Sequence, residues 1–97
     1  MHEDLKHTEV DLVGAWVLDG GRVRGNAVCD RIEWLTRERL QVIEHDATGW
    51  STLFCDPGDG RLWELTYPQS EMHGGGPPRL TEIDRSAAEA KYRMATG

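Results

Sequence analysis

Cysteine is scarce: Cys29 and Cys55 are the only two, and no CxxC pair is present. The four histidines, His2, His7, His45 and His73, form no HxxxH or HxxEH pattern. No disulfide framework and no zinc-type ligand set can therefore be read from spacing. Both thiols are expected to be reduced and at least partly buried. No apolar run approaches the ~20 residues of a membrane span. The opening MHEDLKHTEV is charged and has no apolar core, unlike a secretory signal. A cytoplasmic chain without membrane contact is expected. Basic residues are outnumbered, 11 against 17 acidic, for a net charge of −6. That balance argues against nucleic acid, whose binders present basic patches. It suits a basic protein partner. Neither GxxxxGK[ST] nor GxGxxG occurs, so no phosphate-binding loop is indicated.

Tryptophan is abundant. Trp16, Trp34, Trp50 and Trp63 fall within 97 residues. Each can bury about 150–250 Å², so most are expected in or beside one core. A chain of this length argues for one domain. Residues 1–9 are polar and read as a frayed or loosely packed lead, and residues 10–97 as a single α+β domain.

Leu12 to Leu18 is apolar and reads as a strand in which Gly14 is a weak point or bulge. Asp19-Gly20-Gly21 and the resumed Arg22-Val23-Arg24 complete a hairpin. Asn26 is a good helix N-cap. Val28, Ile32 and Leu35 then fall on one helix face, with Asp30 and Glu33 early and Arg37 and Arg39 late. The pattern predicts a helix over about 26–39, with Trp34 off the main stripe. LQVIEH and WSTLFC read as strands. Asp56-Pro57-Gly58-Asp59-Gly60 has the Pro and Gly order of a type II turn. WSTLFC and RLWELTY should therefore pair antiparallel. Arg79 to Ile83 is a further short strand. Ser86 with Glu89 forms a capping box before a helix over about 86–94. Two helices on one face of a mainly antiparallel sheet of four to six short strands is the expected architecture.

The most distinctive stretch is LWELTYPQSEMHGGGPP, Leu62 to Pro78. Trp63, Leu65 and Tyr67 alternate and share one strand face. With Trp16, Val28, Ile32 and Leu35 they form the expected core. Pro68 should end the ladder. Gly74, Gly75 and Gly76 open backbone angles closed to other residues, and Pro77 and Pro78 stiffen the exit. Such loops often carry function on a rigid scaffold. A histidine beside a carboxylate can act as a general base, so a small hydrolase or ligand-binding domain using Glu71 and His73 is one reading. No nucleophile elbow or metal-ligand spacing accompanies that pair, and no catalytic residue, metal or cofactor is assigned.

LVGAWVLDGGRV, VCDRIEWL, the span from Gly49 to Pro57, and above all DGRLWELTYPQSEMHGGGPPRL resemble the immunity protein 27 family, over about residues 11–93. The resemblance implies a single α+β domain in the bacterial cytoplasm. It implies that the chain binds a cognate polymorphic toxin domain and blocks it by stoichiometric contact, without catalysis. The acidic balance favours a basic, nuclease-like target. The expected toxin-binding residues on the distinctive run are Glu64, Gln69, Glu71, His73, Gly74, Gly75 and Gly76, with Glu71 and Glu64 as the steering carboxylates.

Overall fold

The computed structural model describes residues 3–68 and 76–92. Among the described residues, seven strands and two α-helices follow the chain. They are β1 (Asp11–Val13), β2 (Trp16–Asp19), β3 (Arg22–Gly25), α1 (Ala27–Trp34), β4 (Gln41–His45), β5 (Thr52–Cys55), β6 (Leu62–Thr66), β7 (Arg79–Ile83) and α2 (Arg85–Lys91). Five strands form one antiparallel sheet in the order β1-β7-β6-β5-β4, and β2 pairs with β3 separately. The fold is α+β in one domain.

The apolar run before residue 19 is two strands, not one. β1 ends at Val13 and joins the large sheet, while β2 starts at Trp16 and belongs to the hairpin. Gly14 makes the break. A Cβ there would lie 2.6 Å from Cys29 Sγ and 2.7 Å from the Pro78 carbonyl oxygen. The Gly14 amide donates to that carbonyl at 2.9 Å. The hairpin turn itself uses Gly20 and Gly21 at φ 58° and 82°, the two positive angles a type I′ turn needs.

Asn26 caps α1 by accepting from the Cys29 amide at 3.1 Å. The helix widens after Trp34 into a π-helical turn, Leu35–Arg39, closed by the Leu40 amide on the Leu35 carbonyl at 2.8 Å. The wide turn brings Leu35 and Leu40, five apart, both into the core. β5 and β6 pair as expected, with Phe54 opposite Trp63 and Leu53 opposite Glu64. Their connection is not a type II turn, because Gly60 rather than Gly58 carries the positive φ, 78°. Asp56 instead folds back on the Gly58 amide, and its carbonyl accepts from Gly60 at 2.7 Å.

The two helices lie on opposite faces of the large sheet, not on one. Residues paired across strands point to the same side, and neighbours along a strand to opposite sides. Leu12, Phe54, Trp63 and Leu80 thus share a face and pack with Ile32, Leu35 and Leu40. Leu53, Leu62 and Ile83 face the other way, onto Ala88 and Tyr92 of α2 and its exit. α2 is capped by Asp84, which accepts from the Ala87 amide at 2.7 Å, so the Ser86–Glu89 capping box is not used.

Residues 3–9 of the N-terminal lead are tied down rather than frayed. Arg31 grips Glu9 through both carboxylate oxygens at 2.6 and 2.8 Å and donates to the Glu3 and Asp4 carbonyls. Arg61 reaches the Glu9 and Lys6 carbonyls, and Arg39 pairs with Asp4. Leu5 packs against the core between these ties.

Candidate functional site

The distinctive run supplies β6, the connection to β7, and the first residues before β7. β6 and β7 close with Thr66 opposite Arg79, so the glycine-rich segment spans the end of a hairpin. Gly76 is buried at φ 75°, an angle that a side chain would make costly. Pro77 is buried behind it, and the Pro78 carbonyl holds the Gly14 amide. The exit of the loop is therefore pinned to the point where β1 gives way to β2.

That junction leaves a groove of about 370 Å³ between the hairpin base, α1 and the end of β6. Trp16, Cys29, Glu33, Tyr67, Gly76 and Pro78 are among its walls. Trp16 can lean in because Gly25, its cross-strand partner, has no side chain. A Cβ at Gly25 would sit 2.8 Å from the Cys29 Cβ and 3.4 Å from the Trp16 ring. Trp50 extends the aromatic lining beyond Tyr67, edge to face at 6.3 Å between ring centroids, and is 55% exposed. Among the described residues, Asp30 and Glu33, one helical turn apart on α1, are the charged residues in the wall. Arg24 and Arg37 approach them from outside, at 4.0 and 3.6 Å, with both guanidinium side chains mostly exposed.

A family model described as immunity protein 27 matches residues 18–84, more than half of the chain. The chain belongs to the immunity protein 27 family. No curated protein and no solved structure matches it. The match runs from β2 to the cap of α2. It includes Tyr67, Gly76 and Pro78 of the groove as well as Asp30 and Glu33, and leaves Trp16 just outside.

The residues read from the sequence divide in space. Gln69, Glu71, His73, Gly74 and Gly75 lie outside the described residues, and the hydrolase reading on Glu71 and His73 lies there with them. Gly76 borders the groove. Glu64 faces the α2 side of the sheet, away from the groove. Its Oε2 accepts from Tyr92 Oη at 2.8 Å and pairs with Lys91 Nζ at 2.6 Å. Burial and this carboxylate push the Tyr92 phenol above its ordinary range. Of the residues read as core, Ile32, Leu35 and Trp63 are buried, while Val28 and Leu65 are partly buried against them. Trp16 and Tyr67 are half-buried and line the groove.

Sequence reasoning missed Asp30 and Glu33 as site residues, treating them only as charges suited to the helix dipole. Their spacing of three places them side by side on α1, but nothing in it says that the neighbouring surface is hollow. A larger open cleft of about 720 Å³ lies near Asp4, Glu38 and Asp59. Two of its carboxylates are already engaged. Arg39 hydrogen-bonds Asp4 and lowers its pKa. Asp59 is also lowered: burial opposes ionisation, but the Arg61 amide and guanidinium outweigh it. Among the described residues, no group of three or more His, Cys, Asp or Glu is placed to hold a metal ion, and no helix is long and apolar enough to cross a membrane.

Proposed function

We propose that this chain binds a cognate polymorphic toxin domain in the bacterial cytoplasm and neutralises it by stoichiometric protein–protein contact. The observation that carries the reading is membership of the immunity protein 27 family over residues 18–84. The same membership supports a non-catalytic role. The net charge of −6 supports a basic target, nuclease-like in charge, because opposite charge speeds association. On the distinctive run, Gln69, Glu71, His73, Gly74, Gly75 and Gly76 remain the proposed contact residues. Glu64 is a weaker candidate, since Tyr92 and Lys91 occupy its carboxylate.

The test is co-expression with a toxin domain encoded beside this chain's gene. Growth should be rescued in proportion to the amount of this chain, and the two proteins should co-purify at a fixed ratio. Absence of both rescue and complex would end the immunity reading.

A further inference from the structure

We infer that the groove between the β2–β3 hairpin, α1 and the end of β6 is the toxin-docking surface, and that its occupant is a basic segment of the toxin domain. The inference rests on the immunity reading and adds to it a place and a chemistry. Three observations converge on that surface.

The first is the lining. Trp16 and Tyr67 line the groove, and Trp50, a residue 55% exposed, stands beside Tyr67. Aromatic side chains that remain partly wet supply large contact area at little entropic cost, and they are enriched at protein interfaces. The second is charge. Asp30 and Glu33 are carboxylates, no cationic side chain lines the groove among the described residues, and Arg24 and Arg37 reach the two carboxylates from outside it, at 4.0 and 3.6 Å, with their side chains mostly exposed. A lysine or arginine entering the groove would find two carboxylates near aromatic faces, a setting that arginine suits especially.

The third is continuity. Trp16, Leu18 and Val23 point to the same side of the hairpin, because Leu18 is opposite Val23 and Trp16 lies two residues before Leu18. Leu18 is 76% exposed and Val23 is 68% exposed. The apolar surface therefore runs out of the groove along one hairpin face. An isolated two-stranded hairpin is marginal in water, and covering this face would stabilise it. The glycine-rich connection leaves β6 at Tyr67 and returns at Gly76, both on the groove wall. Both ends of that connection thus lie at this surface.

The experiment measures binding kinetics of such a neighbouring toxin domain, catalytically inactivated, against four forms of the full chain. These are the unaltered chain, Asp30→Lys with Glu33→Lys, Leu18→Asp, and Glu89→Lys on α2 as a control. Every altered side chain is exposed, and a melting curve recorded for each form separates loss of contact from loss of fold. The carboxylate double variant should slow association at least tenfold at low salt, and less at 1 M salt. Leu18→Asp should speed dissociation at least tenfold, and the control should stay within twofold. Binding by both groove variants within twofold of the unaltered chain would overturn the inference while leaving the immunity reading intact. An equal loss with the control would also overturn it, since net charge alone would then explain the effect. Self-association of the chain that Leu18→Asp abolishes would overturn it by making a second copy the occupant. If the unaltered chain fails to bind, the immunity reading itself fails.

Discussion

Gly14 is a small residue at a crowded crossing, and its role is steric. Cys29 Sγ and the Pro78 carbonyl occupy the space a Cβ would need. The carbonyl belongs to backbone that also defines the groove wall, so it cannot swing aside as a side chain would. Gly14→Ala should lower stability by about 1–3 kcal/mol, the usual range for overpacking. Urea denaturation would check this, with an unchanged midpoint contradicting it. Glu64 gives a second case. Its carboxylate satisfies the Tyr92 hydroxyl, and Tyr92 is buried. Glu64→Ala should cost about 1–3 kcal/mol, because the hydroxyl loses its acceptor inside the fold. Trp63 completes the set at 0% exposure, with Arg61 stacked 4.8 Å from the ring centroid. Trp63→Ala should cost about 3–5 kcal/mol and leave little folded protein in a thermal melt.

The elements differ in how much of their form is local. The β5–β6 hairpin could be read from two alternating runs around a polar turn, because cross-strand pairing needs only that pattern and a short loop. The start of α1 was equally legible in Asn26. Its widened end was not, since the π turn answers to the core's demand for both Leu35 and Leu40. The cap of α2 lies two residues earlier than expected, at Asp84 and not Ser86. Asp84 and Ser86 are both competent caps, and the strand ending at Ile83 leaves Asp84 at the place where the helix opens. This yields a direct contrast. Asp84→Ala should destabilise by about 1 kcal/mol, within the 0.5–2 range for cap removal. Ser86→Ala should change stability by less than about 0.5 kcal/mol, as exposed sites away from special features do. Equal losses in chemical denaturation would mean that the capping box is in use after all.

Across the whole molecule, arginines bind distant parts of the chain together. Arg31 on α1 and Arg61 beside β6 both reach back to the first nine residues. Glu9 is the centre of this arrangement. Hydrogen bonds from Arg31 hold its carboxyl down to about 2 from an ordinary 4.5. A folded value below the unfolded one means that the pair's stabilisation is complete above pH 4.5 and is lost as pH falls towards about 2. Glu9→Gln should therefore cost about 1–3 kcal/mol near neutral pH, the range for charge-assisted hydrogen bonds. The gap to the unaltered chain should narrow between pH 4.5 and 2, the two values that bound the titration. A gap that stays constant over that interval, in denaturation at several pH values, would show that Glu9 acts by shape and not by charge. Asp4 and Asp11 are also lowered by arginine partners, so the variant should flatten the acid limb without abolishing it.

The amino-acid order alone determined the α+β class, the β5–β6 pairing, the cap at Asn26 and the family, because each rests on neighbours along the chain or on a long unusual run. It could not determine which side of the sheet each helix covers. That depends on the strand order β1-β7-β6-β5-β4, which brings Leu12 beside Leu80 and Glu64 beside Thr81 across long stretches of chain. For the same reason Glu64 and Tyr67, three apart on one run, part company. Alternation sends one to α2 and the other to the groove. Trp16, Asp30 and Tyr67 meet at that groove only because Gly14 turns the chain out of the sheet and Gly25 leaves room for an indole ring. A hollow is made by what several segments leave unfilled between them, and no single segment encodes it.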